Sequence, residues 1–301
     1  MAHRHDVYRY GPGHKYIEHE FKCAGRYGAK GEERAPKVKA TPEQIKKQNQ
    51  WNREKTALRK MRENFKEGDL WTTCKLPKGT RMSVEAIKKL RDKFFRNLHN
   101  AYKKRGQPLK YMYRIEIGER GGIHMHVLLN RLDGKPFTAD VVKEKWSKLT
   151  GGHVHYTPIY EEGGYKELAA YLVKPVPDEI TGQLNLFGEE EERKIFVSYN
   201  CSRNLKTPEK EPHEYKRNTV RKLVEEGPEP QEGYYIDRDS IRTGTNPHNG
   251  LTYYYYTEIR MERRDDEMWE ELREEAKSWW HENIAVKQEK KRKRRKGGDT
   301  G

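Results

Sequence analysis

Tyr111-Met112-Tyr113-Arg114-Ile115-Glu116-Ile117-Gly118-Glu119-Arg120-Gly121-Gly122-Ile123-His124-Met125-His126-Val127-Leu128-Leu129-Asn130 is the stretch that decides the fold. Side chains alternate between the two faces of a strand, so His124 and His126 share a face. Setting Glu116 opposite His124 leaves Gly118 to Gly122 as a five-residue glycine-rich hairpin loop. In that register one carboxylate and two imidazoles lie together. The other face carries Tyr113, Ile115 and Ile117 against Ile123, Met125, Val127 and Leu129, an apolar side that predicts a sheet packed on helices.

The neighbouring segments extend this unit in both directions. Upstream, Leu70-Trp71-Thr72-Thr73-Cys74-Lys75-Leu76 has a strand composition and stops at Pro77 and Gly79. Ile87, Leu90, Phe94, Leu98 and Ala101 follow at helical spacing, with Gly106 at the expected stop. Downstream, Asp140 to Leu149 predicts a short helix, His153 to Tyr160 a strand, and Tyr165 to Lys174 a helix ended by Pro175. From Asp69 to Tyr160 the order is βαββαβ. It predicts an α+β fold: a ferredoxin-like (split βαβ) antiparallel sheet with covering helices, to which one more helix is appended.

Further out the signal weakens. Residues 1 to 40 are rich in Gly, Lys and Arg without periodicity and are expected to be an irregular basic arm. Thr41-Pro42-Glu43-Gln44 is a capping box that opens a polar helix running to about Phe65. Beyond Pro175 come an acidic link, Asp178 to Glu192, a strand-like run from Lys194 to Tyr199, and a β-rich patch from Leu251 to Arg260. Trp269, Leu272, Ala276 and Trp279 lie on one face of a C-terminal helix.

Composition bounds the function. The 301 residues carry a formal net charge of +15, concentrated partly in Lys290 to Lys296, and only 33% are hydrophobic. A polyanionic partner is expected, nucleic acid above all. Three scattered cysteines make neither a disulfide framework nor a zinc ribbon, no run reaches membrane-spanning length, and the N-terminus does not lead into a secretory signal. A reducing compartment without a membrane partner is the expectation.

Glu116, His124 and His126 form a mixed N/O set suited to a divalent ion with open positions, Mg²⁺, Mn²⁺ or Zn²⁺. On a basic protein such an ion is a Lewis acid for a phosphodiester. In the appended helix Tyr165, Leu168, Ala169 and Leu172 fall at core spacing, whereas Glu167, Tyr171 and Lys174 fall on another face. Tyr171 is therefore a candidate nucleophile able to form a covalent phosphotyrosine, and Lys174 a candidate cation for the phosphate. His153-Val154-His155 repeats the histidine spacing but has no carboxylate on a glycine-linked partner strand.

Glu116 to His126, followed by Tyr171-Leu172-Val173-Lys174, resembles the second and third motifs of the HUH-endonuclease replication initiators, the Rep proteins of rolling-circle phages, plasmids and small circular DNA viruses. Leu70 to Leu76 is similar to their first motif. The resemblance covers about Asp69 to Pro175. It implies that Glu116, His124 and His126 hold Mg²⁺ or Mn²⁺, and that Tyr171 nicks single-stranded or hairpin origin DNA, keeping the 5′ phosphate and freeing a 3′ hydroxyl. It also implies a host polymerase and the cytoplasm of a bacterial host. No Gly-x-x-x-x-Gly-Lys-Ser/Thr run is present, so the helicase is expected from the host too. Glu119 competes with Glu116 as ligand, and strand parity favours Glu116. The expected organisation is a basic arm and polar helix over 1–66, the endonuclease over 67–178, an accessory region over 179–286, and a disordered basic tail over 287–301. Relaxases and single-strand transposases of the same superfamily, and a non-catalytic RNA- or single-strand-binding ferredoxin-like module, are the alternatives. Relaxases usually place the tyrosine ahead of the histidines, and the open face here carries ligand-type residues where a base-stacking module needs aromatics.

Overall fold

A computed structural model of the protein describes residues 3–24, 38–117, 122–159, 164–175, 198–215, 223, 226–246 and 251–261. The chain divides into two units, Met1–Arg260 and Met261–Gly301. In chain order the elements of the first are β1 (His3–Tyr10), β2 (Tyr16–Ala24), α1 (Pro42–Asn64), β3 (Leu70–Lys75), α2 (Val84–Lys103), β4 (Tyr111–Ile117), β5 (Ile123–Leu129), α3 (Thr138–Thr150), β6 (His153–Pro158), α4 (Gly164–Leu172), β7 (Ser198–Cys201), β8 (Glu211–Tyr215), β9 (Tyr234–Asn246) and β10 (Leu251–Arg260). The fold is α+β, with two five-stranded antiparallel sheets among the described residues.

The second sheet, in the order β6-β3-β5-β4-β7, contains the split βαβ core, with β7 added beside β4. The hairpin register is the one expected, Glu116 opposite His124 and Arg114 opposite His126. One face is covered by α2 and α3. Phe94 and Leu98 of α2 and Val142 and Trp146 of α3 pack there with Ile115, Met125 and Val127 of the hairpin. Helix α2 starts at Ser83, whose hydroxyl accepts from the Ala86 amide at 3.2 Å. Gly106, at φ +69°, makes the left-handed turn that closes it. The tight fit of α3 and β6 onto β3 depends on Gly152, where a Cβ would lie 2.0 Å from the Lys75 carbonyl oxygen.

The opposite face of this sheet is divided. Its lower part, Trp71, Leu128 and Met112, is covered by α1 and α4 through Ala57, Met61, Phe65, Tyr165, Ala169 and Leu172. Its upper part, carrying Lys75, His124, Glu116 and, one level down, Thr73, His126 and Arg114, holds the candidate site.

The first sheet, β8-β1-β2-β10-β9, overturns one expectation: residues 3–24 are two paired strands, not an irregular arm. The reason lies in what these strands bury. Asp6, Glu18 and Glu20 are 1%, 8% and 2% exposed, and the two glutamates face cations of α1. Arg59 donates to both Glu18 oxygens at 2.8 and 2.6 Å and also pairs with Glu20, as Lys55 does. The Arg59 guanidinium lies 3.5 Å from the Tyr8 ring centre, and that of Arg62 lies 4.3 Å from Tyr16. A buried face made of ion pairs leaves no apolar alternation to detect. The same pairing explains why α1 looks polar. One of its faces is apolar and rests on α4, and another is ionic and rests on β1 and β2.

The strand-like run expected from Lys194 is described only from Ser198, where β7 joins β4. Glu119, the link from Asp178 to Glu192, the helix with Trp269 and Trp279, and the tail from 287 lie outside the described residues. No helix among the described residues is long and apolar enough to cross a membrane.

Candidate metal centre and tyrosine site

Strand pairing alone brings the three ligand-type side chains together. Glu116 on β4 and His124 on β5 are directly paired, and His126 follows two residues on, so all three project from the divided face. Each offers one ligand atom, and these atoms lie within 4.8 Å of one another. Among the described residues this is the only such group of His, Cys, Asp and Glu. One carboxylate and two imidazoles at that spacing fit a divalent cation that keeps open positions, with Mg²⁺, Mn²⁺ and Zn²⁺ all compatible.

The group is pre-set by its neighbours. His126 Nε2 lies 3.1 Å from Glu116 Oε1, while its Nδ1 lies 3.1 Å from the Thr73 hydroxyl on β3. Thr73 thus fixes the ring's orientation and leaves Nε2 facing the site. Trp71 stacks alongside, 5.8 Å between centroids and 17° between planes. Burial, reinforced by the charge of Lys75, holds the His124 imidazole below its ordinary value. Burial also lowers His126, against the opposing pull of Glu116. Both rings therefore favour the neutral form a metal ligand needs. Burial would raise Glu116, but hydrogen bonds from Tyr171 and Arg114 outweigh it and keep the carboxyl ionised.

Tyr171 reaches this group from α4. Tyr165, Ala169 and Leu172 of that helix enter the core against α1 and the sheet. Tyr171, on another side, remains half-buried. Its hydroxyl donates to Glu116 Oε1 at 2.6 Å and lies 2.9 Å from His126 Nε2. Trp71 meets its ring edge-on at 6.1 Å. Burial, together with the bond to the Glu116 carboxylate, pushes the phenol upward, so the resting hydroxyl is protonated. The helix expected to reach Lys174 ends at Leu172. Lys174 is exposed, and its main-chain carbonyl accepts from Arg114 Nη1 at 2.7 Å.

Other candidates fall away from this point. Tyr165 is 2% exposed within the core. His153 and His155 are exposed on the edge strand β6, at the levels of Lys75 and Thr73, and belong to no ligand group among the described residues. Sequence pattern does not mark Thr73, Trp71 and Arg114 as site residues. Strand parity puts Trp71, Thr73 and Lys75 on one face, but only the β3–β5 register shows which histidine each one meets.

Residues 69–176 match a family model of replication-associated proteins, the ORF2 type. The match spans the split βαβ core, the ligand group and Tyr171. No curated protein and no solved structure matches the chain. The matched segment supports a role in initiating replication and, at that coarse level, a nuclease or nickase acting on DNA.

Proposed function

We propose that the protein is a rolling-circle replication initiator of the HUH-endonuclease type, which nicks and rejoins single-stranded or hairpin origin DNA through Tyr171. The observation that carries this reading is the Tyr171 hydroxyl standing 2.6 Å from Glu116 Oε1 and 2.9 Å from His126 Nε2, a phenol on the edge of a ligand set. Glu116, His124 and His126 would hold a divalent cation, Mg²⁺ or Mn²⁺, which when bound polarises the scissile phosphodiester and offsets its developing charge. The remaining steps belong to this chain's side chains.

Tyr171 Oη attacks phosphorus in line with the 3′ oxygen. The Oη–P bond forms as the P–O3′ bond breaks. The phenolic proton leaves along the hydrogen bonds Oη already makes, and the departing 3′ oxygen takes up a proton to become a hydroxyl. The phosphate remains on Tyr171 as a 5′-phosphotyrosine ester, which conserves the energy of the broken bond. Attack by a 3′ hydroxyl on that ester reverses the step and rejoins the strand. Lys174, exposed beside the end of α4, is the cation assigned to the phosphate oxygens. The freed 3′ hydroxyl is a primer for a host polymerase, with strand separation supplied by a host helicase.

The two ends of the nick test this reading. A polymerase is expected to extend the 3′ end directly. The 5′ end is expected to resist 5′-exonuclease even after protease digestion, because a peptide remains on it. A free 5′ phosphate would instead indicate hydrolysis by water and remove the tyrosine from the mechanism.

A further inference from the structure

We propose that Arg114 is a positioning residue for Tyr171, tying the Glu116 carboxylate to the chain that leaves α4 and so setting the distance between ligand group and nucleophile. The inference rests on Tyr171 being the nucleophile. Arg114 is 4% exposed and lies on β4 between the core and the site. Its Nε donates to Glu116 Oε2 at 3.1 Å. Its Nη1 donates to the carbonyls of Leu172 at 3.2 Å and Lys174 at 2.7 Å. The carbonyl between them, Val173, accepts from Gln50 Nε2 of α1 at 3.1 Å. Three successive carbonyls immediately after Tyr171 are thus captured by two side chains from different elements.

The need for such a clamp follows from the helix itself. Helix α4 has nine residues, too few for intrinsic stability, and its last carbonyls have no partner within the helix. Apolar packing holds its flank through Tyr165, Ala169 and Leu172, but packing alone tolerates small slides along the axis. A planar guanidinium spanning a carboxylate and two carbonyls does not. Its positive charge also suits a helix C-terminus. Because the same guanidinium holds Glu116, the ligand and the nucleophile are referred to one rigid group.

The test compares wild type, Arg114→Lys and Gln50→Ala for single-turnover adduct formation on labelled single-stranded origin DNA, beside Mn²⁺ affinity and thermal midpoint. Lysine keeps a cation beside Glu116 but cannot span all three acceptors. Its rate at saturating DNA is expected to fall on the order of 100-fold, as a displacement of about 1 Å would produce. The DNA concentration for half-saturation should stay the same, and excess Mn²⁺ should not restore the rate. Gln50→Ala, which touches no ligand, should show a smaller loss with Mn²⁺ affinity and midpoint unchanged. Full rates in both variants overturn the proposal, as does recovery of Arg114→Lys by excess Mn²⁺, which would assign Arg114 to the ligand alone. A wild type that forms no adduct defeats the nucleophile reading and the clamp with it, whereas a wild-type adduct with undiminished variants defeats the clamp alone.

Discussion

The two sheets are built from the same chain by opposite means. In β6-β3-β5-β4-β7 one face is a continuous apolar core under α2 and α3, and the polar groups of the other face converge on one point. In β8-β1-β2-β10-β9 carboxylates are buried and compensated one by one by Arg59, Lys55 and Lys22. Removing one partner of a buried ion pair strands the other in a low dielectric, whereas removing a ligand from an open site leaves it in water. The first kind of change should therefore be read out in stability and the second in chemistry. Helix α1 is the shared element, with Arg59 toward the ionic sheet and Met61 toward α4.

The largest effect that separates the sheets is on activity. His124→Ala with His126→Ala is expected to abolish metal-dependent nicking while circular dichroism and thermal midpoint stay near wild type. Unfolding of that variant would make the group structural and erase the contrast. The reciprocal change, Arg59→Met, leaves Glu18 and Glu20 without their strongest partner and should cost about 3–5 kcal/mol in chemical denaturation. Mn²⁺ affinity of the folded fraction should be kept. Met61→Ala, at a side chain 0% exposed, should cost about 2–5 kcal/mol and, unlike Arg59→Met, also slow nicking, because it backs the helix that carries Tyr171.

Acid should distinguish the sheets without mutation. Burial, with the neighbouring His19, pushes His5 from 6.5 down to about 4. The unfolded chain therefore takes up this proton first. Stability from neutral His5 is full above pH 6.5 and is lost as pH falls toward 4. Burial would raise Glu20, but Lys55 and Arg59 hold it at about 2, so its contribution is full above 4.5 and is lost on further acidification. Amide exchange in β1 and β2 should accelerate across these windows ahead of β4 and β5. Simultaneous loss of protection would make the two sheets one cooperative unit. The smallest expected effect is that of His153→Ala with His155→Ala, which should leave Mn²⁺ affinity unchanged. A clear loss would bring β6 into the ligand group.

The same contrast explains what could be read from the sequence. The hairpin was legible because period-two alternation separated Ile115, Met125 and Val127 from Glu116, His124 and His126, and because glycines limited the register. Tyr171 was legible from its offset to Tyr165, Ala169 and Leu172 on the helix. The strands at residues 3–24 were not, since Glu18 and Glu20 are buried by pairing with residues of α1 about forty positions away. The clamp was hidden for a related reason. Arg114 and Gln50 meet main-chain carbonyls, and a carbonyl carries no residue identity in the sequence.

The central claim, that Tyr171 attacks DNA beside the Glu116, His124 and His126 group, is tested most directly by incubating the purified protein with Mn²⁺ and 3′-labelled single-stranded DNA tiled across its own replicon, beside Tyr171→Phe. The account predicts a protein-DNA adduct that survives SDS, needs the metal and disappears in Tyr171→Phe. An adduct undiminished in Tyr171→Phe, or cleavage that leaves no adduct, would contradict it.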